Sequence, residues 1–384
     1  MTEQFSQMKI LNVIDLMNPF TGGGATTRTY QMSKFLVERG VQIEILTTNW
    51  DLDISYVAAL PKVKWHSINA VHLRYLFPLG AKSWLEKNIR NYDLIHINKN
   101  WSVLSTWAAL IAFKYNIPYV FSGMGLVSMS NRSQFLKLIY SKHLSKKVMK
   151  RARYCIAVTD EERQSLITAG VFEEKVIVIP NGIDFDELSC FDNNKFRRKF
   201  NLDERKIILF IGRMDEVKGV HLLIESFASI RSSLKEWQMV LIGTNTPYKN
   251  QMKKLVEEHK LSDSIYFLDP IFGETKSMAY HASEIVAIPS IKDAMTIIAP
   301  EAAYCSKPVL ITNTSEFSSL SKIGGSIEVS PTVPAISEGL LKLTNDASLR
   351  LSMGIKGQEF IKKNYSWIQI TDSYFDIFSA SLRN

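Results

Sequence analysis

The chain is poor in cysteine. It holds three, Cys155, Cys190 and Cys305, with no C-x-x-C pair. That scatter argues against a disulfide scaffold and a zinc ribbon, and it fits a reducing compartment. Long apolar runs are also lacking. The longest, VLSTWAALIAF (103–113), falls short of the ~20 residues that a membrane-spanning helix needs. The opening MTEQFSQMK has no apolar h-region, so no signal peptide is expected. There is no internal repeat and no low-complexity tract. No G-x-G-x-x-G follows the first strand, and no acidic residue stands at the tip of the second to take a ribose, which argues against a dehydrogenase. Zinc-finger, helix-turn-helix and RNA-binding aromatic signatures are missing, so no nucleic-acid partner is expected. Two DxD strings, DLD (51–53) and DFD (184–186), are within what chance supplies among 38 acidic residues. No metal and no cofactor is expected.

What is present is ordinary for a soluble globular protein: 46% apolar and 22% charged residues over 384 positions. That length suggests two domains. The net charge is +8, so its distribution matters more than its total. Residues 131–153, NRSQFLKLIYSKHLSKKVMKRAR, hold eight Lys/Arg and no acid. Phe135, Leu138, Ile139, Leu144, Val148 and Met149 recur there at roughly helical spacing. The segment reads as a basic amphipathic helix that suits an anionic membrane surface, or as a solvated helix face.

Along the chain, apolar strands alternate with helices. KILNVIDLM (9–17) runs into a loop of Gly22, Gly23 and Gly24, then a helix to Gly40. VQIEILTTN (41–49), DLIHINK (93–99) and IPYVFSG (117–123) read as further strands, with a helix over 102–116. His96, inside an apolar strand, reads as a hydrogen-bonded core residue rather than a ligand. YCIAV opens a strand, and Thr159 or Asp160 a helix. The second half repeats the pattern: IILFIGR, WQMVLIGTN (237–245) with Gly243 at its end, SIYFLDPIF (264–272), EIVAIPS and KPVLIT (307–312). The alternation predicts α/β architecture with parallel, doubly wound sheets.

Two stretches carry chemistry. In PSIKDAMTIIAPEAAYCSKP (289–308), Asp293 and Glu301 lie eight residues apart across a strand–loop–helix junction. Pro300 fits only near a helix start. Such a junction collects unpaired N–H groups that suit a phosphate, and a carboxylate one turn in suits sugar hydroxyls. In IILFIGRMDEVKGVHLLIESF (207–227), Arg213 and Lys218 leave the end of a buried strand. Ligands of open α/β sheets sit there, and a planar fork beside a compact ammonium suits a diphosphate.

IGRMDEVKG resembles the G-R-x(4)-K-G element of retaining glycosyltransferases of family 4, which have the GT-B fold. DAMTIIAPE is similar to their E-x(7)-E element, with Asp in place of the first Glu. KVIVIPNGID (175–184) is similar to the I-P-N-G-V/I-D segment that ends their first domain. With the glycine loop, four landmarks come in order over nearly the whole chain. The resemblance implies two Rossmann-like, doubly wound domains facing across a cleft: 1–187 on the acceptor side and 188–365 binding the donor. It also implies a C-terminal helix, 366–384, crossing back to the first domain. The partners implied are a nucleotide diphosphate sugar and a glycan or lipid-linked acceptor. Arg213 and Lys218 would stabilise the leaving diphosphate, helped by N–H groups near Thr296 and Ile297. Asp293 would hold a hydroxyl of the transferred sugar, and Glu301 the ribose. Gly23 and Gly24 would face donor phosphate and acceptor. Gly243 and Phe272 would line the nucleotide site, the loop at Ile271–Phe272 meeting the base. Such enzymes build surface polysaccharide, lipopolysaccharide or capsule, often peripherally on the cytoplasmic membrane face. The family often has His or Arg where FSGMGLV places Met124, and Gly where Thr296 stands. Those departures motivate a second reading, a transferase-like binding protein without activity. A nucleotide-sugar epimerase of similar architecture is a third.

Overall fold

The computed structural model describes residues 8–18, 21–72, 76–100, 102–124, 144–189, 192–293 and 296–383. The chain divides into two compact units, Met1–Gly182 with Trp367–Asn384, and Ile183–Ser366.

The first unit contains β1 (Lys9–Val13), α1 (Gly23–Glu38), β2 (Gln42–Thr48), α2 (Ile54–Ala58), β3 (Lys64–Ile68), the hairpin β4 (Ala70–His72) and β5 (Leu76–Pro78), and α3 (Ala81–Asn88). It continues with β6 (Leu94–Asn98), α4 (Val103–Lys114), β7 (Tyr119–Ser122), α5 (Lys146–Arg151), β8 (Cys155–Ala157), α6 (Asp160–Thr168) and β9 (Val176–Val178). Its sheet runs in the order β3-β2-β1-β6-β7-β8-β9, every pair parallel. Helices cover both faces, so β1 and β6 are buried along their length rather than alternating, their polar Asn12, His96 and Asn98 included. Thr159 caps α6, its hydroxyl accepting from Glu162 N at 3.1 Å.

The second unit contains α7 (Asn193–Phe200), β10 (Lys206–Ile211), α8 (Val220–Ser229), β11 (Trp237–Ile242), α9 (Pro247–Glu258), β12 (Ile265–Leu268), α10 (Gly273–Ala282) and β13 (Ile285–Ile288). After these come α11 (Ile298–Tyr304), β14 (Val309–Thr312), α12 (Ser318–Lys322), β15 (Ser326–Val329), α13 (Val333–Asn345) and α14 (Ala347–Asn364). Its sheet order is β12-β11-β10-β13-β14-β15. In both sheets the order reverses beside the first strand, between β1 and β6 and between β10 and β13.

The last helix, α15 (Trp367–Arg383), returns to the first unit. Trp367, Ile370, Tyr374 and Phe378 are buried with Ile10, Met32, Leu36 and Leu94. Arg28 of α1, 1% exposed, ties this corner together. It donates to Tyr374 OH at 2.6 Å, Asn181 Oδ1 at 2.7 Å and Ile179 O at 2.7 Å. The helix before it, α14, stops at Asn364 and α15 starts at Trp367. At the break, Ile183 N donates to Tyr365 O at 2.7 Å. No helix among the described residues is long and apolar enough to cross a membrane.

Candidate active site

The second unit's switch point brings the two chemical stretches together. β10 and β13 are paired neighbours, so the loops leaving their carboxyl ends must share one edge. After β10 the chain makes a single tight turn at Glu216–Lys218, capped by Asp215, whose Oδ1 accepts from Lys218 N at 3.2 Å. Gly219 follows with φ +66°, and a Cβ there would lie 2.0 Å from Pro289 O. Only glycine lets the two loops approach so closely. Val217 O accepts from Ile291 N at 2.8 Å, and Asp293 N donates to Thr314 O at 3.0 Å. The result is that Lys218 Nζ lies 2.5 Å from Asp293 Oδ2. Arg213 sits on the same edge with its side chain 61% exposed, 3.2 Å from Asp215. Lys218 and Asp293 are the sheltered pair, at 18% and 15%.

Glu301, in the first turn of α11, is 7% exposed. Lys276 Nζ donates to its Oε1 at 2.7 Å, and Tyr280 OH to its Oε2 at 2.7 Å. Burial pulls the Lys276 ammonium down, but the Glu301 charge and hydrogen bond outweigh it and hold it above the usual lysine value. Burial and the same carboxylate push Tyr280 well up. The carboxylate is therefore aimed by two donors, with acceptor capacity left over, because two donors do not fill four lone-pair sites. Lys276 and Tyr280 were not singled out from sequence. Their i, i+4 spacing in TKSMAYHAS is the one sign that they share a helix face. Thr296 accepts at Oγ1 from Ile298 N at 3.3 Å, so its hydroxyl takes one N–H of the helix start. Ile297 is the N-cap residue of α11.

Gly243 has a packing reason to be glycine. A Cβ there would lie 2.2 Å from Gly212 O, where the ends of β10 and β11 converge. Lys249, 3% exposed, binds that corner, donating to Gly243 O at 3.2 Å, Leu268 O at 3.0 Å and Asp269 Oδ1 at 2.9 Å. It too was missed. Phe272, 46% exposed, precedes α10 on the same edge.

In the first unit Gly23 and Gly24 are not a free loop. They form the start of α1, with Gly22 as N-cap and Gly23 at φ +63°. Met124 lies past the end of β7 with φ +57°. His96 is wholly buried, with Nδ1 3.0 Å from Asn12 Oδ1 and Nε2 2.8 Å from Ser122 Oγ. Burial and the Arg28 charge push it down to about 3, so it is a neutral core residue. The DxD acids have structural employment: Asp53 caps α2, accepting from Tyr56 N at 3.1 Å, and Asp184 accepts from Asp186 N at 3.2 Å. Residues 131–143 of the basic segment, with Phe135, Leu138 and Ile139, lie outside the described residues. In the described part, Val148 and Met149 do not form an outward apolar face. They are buried in the core beneath α4, because α5 spends its apolar side on that core. Lys146, Lys147, Lys150, Arg151 and Arg153 remain exposed.

The model of the glycosyl transferases group 1 family matches residues 192–360, and that of glycosyltransferase family 4 matches residues 22–187. The chain is 24% identical to a D-inositol 3-phosphate glycosyltransferase of Gordonia bronchialis, over 96% of this chain and 87% of that one. Among solved structures, Anabaena HepE in complex with UDP superposes with a TM-score of 0.83 at 19% identity, covering 97% of this chain and 100% of that one. WaaG, a glycosyltransferase involved in lipopolysaccharide biosynthesis, superposes at 0.73 with 16% identity, covering 96% and 99%. Two parallel-sheet units, each doubly wound, with the last helix returning to the first, are the GT-B fold. The chain belongs to the family-4 glycosyltransferases.

Proposed function

We propose that the chain is a retaining, metal-independent glycosyltransferase that moves a sugar from a nucleotide diphosphate sugar to a glycan or glycolipid acceptor. The observation that carries this is the Lys218–Asp293 pair, 2.5 Å apart. It joins a cation suited to diphosphate and a carboxylate suited to a sugar hydroxyl at the sheet edge where α/β ligands bind. The UDP named in the HepE complex is a donor nucleotide that this site would accept.

Reaction breaks the bond from the anomeric carbon to the diphosphate and forms one to the acceptor oxygen on the same face. The departing phosphate takes the acceptor's proton, so no enzyme nucleophile or base is required. Negative charge grows on the diphosphate, and Arg213 and Lys218 stabilise it in the transition state. These fixed cations supply the countercharge that a metal supplies elsewhere. Lys218 has three N–H donors, so it can keep Asp293 and still reach a phosphate oxygen. Asp293 takes a hydroxyl of the transferred sugar, and Glu301, oriented by Lys276 and Tyr280, the ribose. Gly24 and Gly23, at the α1 start, would face the acceptor. The Phe272 loop would meet the base, and Gly243 would keep its floor low. The role named for WaaG supports an acceptor in surface polysaccharide. The exposed cations of α5 support a peripheral place on the inner face of the cell membrane.

A thermal-shift screen against nucleotide diphosphates and their sugars, followed by NMR of the product anomer with and without EDTA, tests the reading. Retention of configuration at full rate in EDTA is expected. Inversion, or loss of rate in EDTA, would refute the mechanism. Binding without turnover on any acceptor would favour the inactive form, and turnover without acceptor an epimerase.

A further inference from the structure

The stretch Pro289–Asp293 belongs to no helix or strand, yet its backbone is held at almost every residue. In the second sheet β13 lies between β10 and β14, and the loops leaving those two neighbours grip it from its two sides. On the β10 side Val217 O accepts from Ile291 N at 2.8 Å and from Lys292 N at 3.4 Å. The Lys218 ammonium draws the Asp293 carboxylate the same way. On the β14 side Asp293 N donates to Thr314 O at 3.0 Å. There, too, Ser290 O accepts from two hydroxyls, Thr312 Oγ1 at 2.6 Å and Thr314 Oγ1 at 2.6 Å.

A threonine hydroxyl has one proton and two lone pairs. Thr312 gives its proton to Ser290 O, so in its 3.0 Å contact with Ser315 Oγ Ser315 is the donor. Thr312 and Ser315 are both buried and form a short chain that ends on Ser290 O. Thr314 is half-buried and makes the same bond from nearer the surface. Ser290 is buried and its own Oγ has no partner among the described residues, so it takes part through its carbonyl.

These bonds are not needed to close the sheet. The β13–β14 ladder ends at Ile288 and Ile311, and Ser290 lies two residues beyond it. What the hydroxyls hold is the loop. Coulomb attraction to Lys218 pulls Asp293 toward β10, and the bonds to Ser290 O keep the start of its loop on β14. A loop free to slide toward β10 would close the carboxylate onto Lys218 and away from a sugar hydroxyl. A misplacement of about 1 Å can slow a reaction about 10²-fold. We infer that Thr314, backed by Thr312, is a positioning residue for Asp293. Its hydroxyl fixes Ser290 O, and through that the carboxylate that takes a hydroxyl of the transferred sugar. The inference rests on the transferase reading above and adds to it a residue that acts without touching sugar or nucleotide.

Calorimetry and initial rates on the full chain test it. The probes are UDP-glucose, UDP-galactose, UDP-N-acetylglucosamine and GDP-mannose, each compared with its nucleotide diphosphate alone. The rate is release of that diphosphate to water. Thr314→Val keeps the shape and the backbone carbonyl and removes only the hydroxyl, which Thr314→Ser restores. With the probe that binds the wild type best, Thr314→Val should lose most of the affinity gained through the sugar and slow release about tenfold. Affinity for the diphosphate alone and the melting temperature should hold, and Thr314→Ser should behave like the wild type. In an Asp293→Ala background Thr314→Val should change neither the sugar response nor the rate further, because no carboxylate is left to place. Additive losses in that background would make Thr314 a sugar contact or a general support, and would overturn the inference. Wild-type behaviour of Thr314→Val, or a loss that Thr314→Ser shares, would do the same. Failure of the wild type to bind any of these nucleotides would instead overturn the transferase reading beneath it.

Discussion

Glu301 and Asp293 are both carboxylates at one strand edge, but their surroundings differ. Glu301 is held by two donors, the Lys276 ammonium and the buried Tyr280 phenol, whereas Asp293, somewhat more exposed, is paired with Lys218. Glu301→Gln keeps the shape and loses the charged acceptor, so affinity for the nucleotide diphosphate itself should fall. Asp293→Asn should leave that affinity nearly unchanged and weaken the response to the sugar. Calorimetry with UDP and with a UDP-sugar separates the two, and equal loss of UDP affinity in both would refute the division of roles. Lys276→Met leaves a buried carboxylate unpaired, which should cost roughly 3 kcal/mol of stability by chemical denaturation. Arg213→Ala and Lys218→Ala should each slow transfer about 10²-fold or more while the melting temperature holds, because neither side chain belongs to the core. Near-normal rates in either would remove it from the mechanism. These four charged residues were legible in the sequence because their spacing after apolar strands placed them at a sheet edge. Lys276, Tyr280 and Lys249 were not. Their partners lie 25, 21 and 20 residues away, and nothing in a helix sequence marks which lysine will be drawn inward.

At the scale of elements, buried strands were the most readable part. KIILFI and WQMVLI are apolar on both faces, and the structure buries them. The edge strand β3, KWHSI, mixes charge and aromatic residues because one side of its ladder is open, so 50–90 offered no clear period. β15 at the other sheet's edge was missed in the same way. The close contact of two loops at Gly219 was equally invisible, since Pro289 is far along the chain. Gly219→Ala adds both a clash with Pro289 O and a left-handed alanine. It should cost about 2 kcal/mol or more and move Lys218 relative to Asp293, lowering the melting temperature and the transfer rate together. A melt like that of the wild type would show that the loops have room to part. The β2 edge makes a pH prediction. Glu44 is buried, which by itself raises its pKa. Hydrogen bonds from Tyr92, His66 and Lys9, and the Lys9 charge, outweigh burial and hold it at about 2 against 4.5 unfolded. The folded value is the lower one, so this stabilisation is complete above pH 4.5 and fades as pH falls toward 2. Glu44→Gln should remove on the order of 3 kcal/mol at neutral pH, and its stability should fall less than the wild type's between pH 5 and 3 in urea titrations.

For the whole molecule the net charge of +8 matters through where it stands. α5 turns Val148 and Met149 into the core and leaves Lys146, Lys147, Lys150 and Arg151 in water. Phe113, 45% exposed, lies under Arg151, whose guanidinium carbon is 3.8 Å from the ring centroid. The hairpin β4–β5, which also packs on α4 through Phe77 and Trp107, leaves Val71, Phe77 and Leu79 exposed. Helix α4 is therefore flanked by cations on one side and apolar side chains on the other, a composition suited to an anionic lipid surface. Each cation near such a leaflet contributes about 1 kcal/mol. Reversing Lys146, Lys147 and Lys150 to Glu should therefore weaken binding to phosphatidylglycerol vesicles by about 10²-fold or more. Binding of the wild type should fall with added salt, because exposed charges are screened, and should be weak on phosphatidylcholine alone. The residues proposed to hold the donor lie in the second unit, so UDP affinity should not change. Sedimentation with vesicles decides the matter. Equal pelleting of wild type and triple variant would show α5 to be only a solvated face, and the peripheral membrane placement would then lose its support in the charge of this helix.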